Sequence, residues 1–179
     1  MVVVNGWTLY EYPEFESQIA KLEAQVGARK AKDPVGWASS ADAKLFNAIE
    51  RLSQEIIPAD PGAKQFRQGD TLGAGRKHWF RAKFGNGRYR LFFQFNSTAK
   101  IIIYAWVNDA ETLRTYGSKT DAYAVFAAML AGGDPPDTWE DLVTAVGADG
   151  AVGAVDERVK LGTAPKAGPK RTKGDGRKR

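Results

Sequence analysis

An Asn86-Gly87 pair sits between two runs in which polar and apolar residues alternate, Trp79–Phe84 and Tyr89–Phe93. Asn-Gly tolerates the positive φ that a tight hairpin turn demands, and a period of two assigns side chains to opposite strand faces. A type I′ turn here pairs Phe80 with Phe93, Ala82 with Leu91 and Phe84 with Tyr89 on one face. On the other face Lys83 lies opposite Arg90 and Arg81 opposite Phe92, with Arg88 at the turn on the same side. The first face is a hydrophobic core. The second sets like charges across neighbouring strands, which is destabilising unless an anion neutralises them. Folding alone gives no reason for that arrangement; binding a phosphate does.

The charge distribution sharpens the point. From Thr71 to Asn108 there are seven Lys/Arg and no Asp or Glu. Residues 158–179 carry nine Lys/Arg and one Asp, whereas residues 1–157 carry 17 basic and 20 acidic side chains. A body that is mildly acidic overall yet strongly basic in one place reads as a polyanion site. The tail reads as a disordered basic segment over 148–179, with weak, salt-sensitive attraction to RNA as its functional reading. The folded domain is expected over 1–147. With no cysteine, disulfides and thiolate metal sites are excluded. Met1–Val4 is too short an apolar run for a secretion signal, and no stretch approaches the ~20 apolar residues that span a bilayer. A cytoplasmic protein with no membrane association is expected.

The remaining elements follow from periodicity. Trp7–Tyr12 reads as a short strand, and Pro13 opens a helix with Phe15, Ile19, Leu22 and Val26 inward. Gly27 and the Lys30–Pro34 region are expected to end it. Ser39 or Ser40 caps a second helix, with Leu45, Ile49, Leu52 and Ile56 inward, closed by Pro58. The two form a helical hairpin. Phe66–Gly69 is a candidate strand edge, and the unbroken apolar run Lys100–Val107 is the centre of a sheet. Asn108-Asp109 is read as capping a short helix that Tyr116-Gly117 interrupts. Ser118 or Thr120 is read as the cap of a helix through Leu130, stopped by Gly132-Gly133. Thr138–Val146 is the last helix. The fold class is α+β.

The chemistry of the cationic face is constrained by what it lacks. Metal-dependent cleavage needs converging carboxylates, and residues 71–108 offer none, so no metal and no cofactor are expected there. RNA offers another route, because its 2′-OH can attack the adjacent phosphodiester. That requires a base, stabilisation of phosphate charge and an acid at the leaving oxygen. Arg81, Arg88 and Arg90 supply forked donors for the charge. Lys83, set among arginines, is the candidate base. Tyr116, Lys119 and Tyr123 complete the site if the 116–123 segment folds over the hairpin. Arg76, Lys77, His78 and Trp79 are candidate RNA contacts. Two of these have competing structural roles: His78 lies at a strand end, and Trp79 can either stack on a base or pack beneath the sheet.

Several segments together resemble one family. They are Gly6-Trp7-Thr8-Leu9-Tyr10, Phe66-Arg67-Gln68-Gly69 with Leu72-Gly73, His78–Phe84, Tyr89–Phe93, Trp106-Val107-Asn108-Asp109 and Tyr116–Tyr123. From about Asn5 to Trp139 the chain is similar to the YhaV toxins. The resemblance implies a type II toxin of the RelE-like superfamily, with a curved antiparallel sheet packed against an N-terminal helical hairpin and C-terminal helices. It implies a metal-independent endoribonuclease that cleaves mRNA in association with the ribosome. It also implies a PrlF-type antitoxin partner of the AbrB-like class. RelE-like sites are built from Arg, Lys and Tyr, which Arg81, Lys83, Arg88, Arg90, Lys119 and Tyr123 match by type. Two other functions remain open at this level: a non-catalytic RNA- or ribosome-binding inhibitor, and a ParE-like gyrase inhibitor.

Overall fold

A computed structural model describes residues 1–150. The disordered reading of the tail falls almost wholly outside these residues; of its first three, Ala148 is buried in the core. Five strands form one sheet in the order β1-β2-β5-β4-β3. They are β1 (Val2–Val4), β2 (Trp7–Glu11), β3 (Phe80–Phe84), β4 (Tyr89–Asn96) and β5 (Ile101–Val107). The hairpin register is the one read from the sequence, with Phe80 opposite Phe93, Arg81 opposite Phe92 and Lys83 opposite Arg90. Its turn is longer than a two-residue connection. Gly85, Asn86 and Gly87 all have positive φ, and two overlapping turns close through Gly87 N to Phe84 O and Arg88 N to Gly85 O.

The sheet is mixed, not antiparallel as expected. β2 runs parallel to β5, because the chain leaves β2 through the helices and the β3–β4 hairpin before returning beside it. β1 was not anticipated. Asn5 and Gly6, both at positive φ, turn Val2–Val4 back onto Trp7–Leu9. The central strand β5 is buried throughout, as its unbroken apolar run requires.

Helices cover both faces. On one face lie α1 (Pro13–Lys32) and α2 (Ala41–Arg51). Pro13 opens α1 and Ser40 caps α2 by accepting from Ala43 N. α1 continues through Gly27 to a cap at Asp33, so the glycine does not end it. α2 passes into a π-helical segment, Leu52–Ile56, and a last turn, α3 (Ile57–Ala59). That wider turn rotates the buried stripe, so Ile57 takes the fully buried place expected of Ile56. Phe15, Leu22, Ile49, Leu52 and Ile57 pack here against Leu9, Leu91, Phe93, Ile102 and Tyr104.

On the opposite face, α4 (Ala122–Gly132) and α5 (Trp139–Ala145) cover Trp79, Phe92, Ile101, Ile103 and Trp106 with Phe126, Leu130, Leu142 and Val143. Phe126 stacks on both Phe92 and Trp106. The register shifts where Phe92 opposes Trp106 but Phe93 opposes Tyr104. This bulge at Ala105 puts Trp106 on the α4 face, and the next residue, Val107, on the other. The cationic face of the hairpin therefore looks toward the first turn of α4. The helix expected after Asn108-Asp109 is absent. Asp109 instead closes a turn by accepting from Glu111 N and Thr112 N. Among the described residues no helix is long and apolar enough to cross a membrane.

Candidate active site

Strand alternation sends Arg81 and Arg90 to the same face from neighbouring strands, two positions apart in the ladder. Like charges so placed repel, and both side chains are buried, at 7% and 5% exposed. What holds them is the phenol of Tyr123 in the first turn of α4. Its oxygen accepts from Arg81 Nε at 2.8 Å and from Arg90 Nε at 3.1 Å. Arg81 Nη1 also donates to Gln65 O, and Arg90 Nη1 to Gly87 O and Tyr89 O. The Arg90 guanidinium lies 5.4 Å from the Tyr123 ring centroid, a cation–π distance.

Neither arginine has a carboxylate partner among the described residues. Their Nη2 groups make no hydrogen bond there either, and no buried side-chain polar atom is unsatisfied. The phenolic proton of Tyr123 likewise has no acceptor within the described residues. The result is two cations fixed by backbone and phenol oxygens, with a donor from each and the phenolic proton unbonded among the described residues.

Two residues outside the sequence-derived set complete the arrangement. Arg114 pairs with buried Asp121 and stacks on Tyr123 at 5.2 Å and Tyr116 at 5.3 Å. Asp121 is the N-cap of α4, accepting from Tyr123 N and Thr115 N, where Ser118 or Thr120 was expected. Asn108 ties this loop to the hairpin, accepting from Arg90 N and donating to Arg88 O and Thr112 O. Arg114 N also donates to Arg88 O. Of the 116–123 segment that was expected to fold over the hairpin, Tyr123 meets Arg81 and Arg90, whereas Tyr116 and Lys119 are exposed; the residues that meet the hairpin turn are Asn108 and Arg114. The Asp three residues after Tyr116-Gly117-Ser118 was a readable cap signal; Arg114, alone in a loop, carried none.

The other expected residues divide into two groups. Lys83, Arg88 and Lys119 are exposed and have no ion-pair partner among the described residues. Tyr116 is 93% exposed. Arg76, His78 and Trp79 instead converge on Asp137, just before α5. Arg76 Nε lies 2.9 Å from its carboxylate, Trp79 Nε1 2.7 Å and His78 Nε2 3.0 Å. Partial burial works to raise the Asp137 pKa, but these hydrogen bonds and the Arg76 charge outweigh it and hold the carboxyl below its ordinary value. Trp79 is 0% exposed and offers no face to a base: of its two roles, packing is the one observed. His78 serves to anchor α5. Lys77 is exposed and reaches Asp70 at 3.5 Å.

No three His, Cys, Asp or Glu side chains are grouped to hold a metal among the described residues. The two guanidiniums converge on one phenol oxygen, and paired arginines are a common way to bind phosphate. A family model for toxins with endonuclease activity, from toxin–antitoxin systems, matches residues 9–147. The chain belongs to this family, the YhaV toxins, as the sequence segments implied. It is 49% identical over 140 residues to toxin YhaV of Escherichia coli O6:H1, covering 78% of this chain and 91% of that one. It is 48% identical, with the same coverage, to the ribonuclease toxin YhaV of E. coli K12. No solved structure matches the chain. A toxin of such a system has an antitoxin partner.

Proposed function

We propose that this toxin is an endoribonuclease that cleaves mRNA in association with the ribosome, without a metal, by 2′-OH attack. The observation that carries the reading is the Arg81–Tyr123–Arg90 node: two buried guanidiniums that share one phenol oxygen and have no carboxylate partner among the described residues. A phosphodiester placed against both Nη2 groups meets the charge that each lacks. The 2′-oxygen attacks phosphorus, the bond to the 5′-oxygen breaks, and Arg81 and Arg90 stabilise the charge that builds on the non-bridging oxygens. Tyr123, whose hydroxyl proton has no acceptor among the described residues, is the candidate to protonate the departing 5′-oxygen. Lys83, exposed opposite Arg90 in the ladder, is the candidate to take the 2′-OH proton. Arg88 and Lys119 add positive charge for flanking phosphates. Lys77 lies farther along the same acid-free stretch and contributes charge only.

The endonuclease activity of the family weighs against a purely occluding RNA binder and against a gyrase inhibitor. The ribonuclease name of the E. coli K12 relative favours RNA as substrate. For the antitoxin we favour a PrlF-type, AbrB-like protein that lays acidic or extended segments over the Arg81–Arg90 face, or displaces residues 116–123.

The test is chemical. Cleaved RNA is expected to carry 5′-OH and 2′,3′-cyclic phosphate ends, with activity unchanged in EDTA. Arg81→Lys, which keeps the charge but loses the fork, is expected to reduce cleavage at least tenfold. Ends with 5′-phosphate, or activity abolished by EDTA, would overturn the mechanism.

A further inference from the structure

A cleft of about 490 Å³ opens beside the arginine node, lined by Leu72, Gly73, Tyr116, Ser118, Tyr123 and Ala127 among others. It shares Tyr123 and Arg114 with the node. Its walls are apolar at Leu72, Ala124 and Ala127, with hydroxyls at Thr71 and Ser118.

At its rim stands Tyr116, a large aromatic side chain that folding leaves 93% exposed. Burial does not hold this ring, but its position is defined. Arg114 stacks on it at 5.3 Å, and Arg114 is itself held by the buried Asp121 carboxylate and by Arg88 O. The Thr115–Ser118 turn, with Gly117 at positive φ, closes through Ser118 N to Thr115 O at 3.0 Å. Tyr116 and Tyr123 therefore flank one guanidinium, and the outer face of Tyr116 is free. An exposed aromatic beside an arginine, next to a phosphate site, is the arrangement that stacks an unpaired base.

We infer that this cleft is a nucleobase subsite, in which the base next to the scissile phosphate stacks on Tyr116 while its edge faces Thr71 and Ser118. The inference rests on the endoribonuclease reading only for where the phosphate sits. Tyr116 here is a binding residue that touches no reacting atom. With the phosphate against the Arg81–Arg90 side of Tyr123, the nucleotide's base falls on the other side of that ring, where the cleft opens.

Binding separates this subsite from the chemistry. The probe is short single-stranded 2′-O-methyl RNA, which has no free 2′-OH to attack, compared with an abasic oligomer of the same length. The full-length toxin is expected to bind the base-bearing probe more tightly. Tyr116→Ala should reduce that preference about 5- to 150-fold, the range for loss of one stacked base, and leave the abasic affinity unchanged. Tyr116→Phe and Tyr116→Trp should restore it. Equal preference in wild type and Tyr116→Ala, or the same loss on both probes, would overturn the subsite. Failure of wild type to cut unmodified RNA would overturn the proposed activity and leave this binding result standing on its own.

Discussion

The Tyr123 hydroxyl is the point on which the two arginines depend, and Tyr123→Phe removes it without changing the ring. Arg81 Nε and Arg90 Nε then lose their shared acceptor at a place too buried for water to replace it fully. Leaving a buried donor unsatisfied costs about 1–3 kcal/mol. Two such donors, partly relaxed, set the expected loss at about 2–5 kcal/mol, or roughly 4–20 °C in Tm for a domain of this size. The assay is urea unfolding followed by circular dichroism, run as a double-mutant cycle. In an Arg81→Met, Arg90→Met background the same Tyr123→Phe change should cost under about 0.5 kcal/mol, since no donor remains to be orphaned. A loss below about 0.5 kcal/mol in the wild-type background, or equal losses in both, would refute the bridging role. Cleavage should fall about 100-fold or more, the usual contribution of a positioned proton donor.

Lys83 is exposed and unpaired among the described residues, so Lys83→Ala should leave stability within about 0.5 kcal/mol while lowering cleavage about 100-fold; unchanged cleavage would remove Lys83 from the site. Asp137 has a native pKa held below its unfolded value, so its contribution is complete above about pH 4 and is lost as pH falls through the lower native pKa. Asp137→Asn should therefore be less stable than wild type at pH 7, with the difference shrinking toward pH 3 in urea titrations. Replacing the nine Lys/Arg of residues 158–179 by Gln should flatten the dependence of log affinity on log salt for single-stranded RNA, by up to about 0.7 per charge removed, without changing the cleavage rate at saturating RNA.

Local chemistry carried much of this fold into the sequence. The Asn86-Gly87 signal and the alternation around it set the β3–β4 register residue for residue. Pro13 opens the first helix, Ser40, one of the two serines able to cap the second, is its N-cap, and Thr138 caps the last. The features that escaped depend on tertiary partners. The parallel β2–β5 pairing joins segments about 90 residues apart, and no local pattern encodes which strand a returning chain will meet. Gly27 has a low helix propensity, worth about 1 kcal/mol, but the 20-residue α1 packs along the sheet and carries it. Asn5-Gly6 carries the same turn signal as Asn86-Gly87, but only Val2–Val4 precedes it, too short a run to show the alternation of a strand. At the site, the sequence brought together Arg81, Arg90 and Tyr123 by residue type. It could not show that α4 and α5 would bury Trp79 on the same strand face, nor that Asp121 would cap α4 and hold Arg114 against Tyr123.

The central claim is that Arg81 and Arg90 receive one phosphate together. It is tested most directly by following their Nε–Hε resonances in the NMR spectrum while titrating a 2′-O-methyl dinucleoside monophosphate. Both signals should be slow to exchange in the free protein, as hydrogen-bonded buried donors are, and both should shift along a single binding curve. Shifts confined to exposed groups such as Lys83 and Arg88, with the Arg81 and Arg90 signals unmoved, would contradict it.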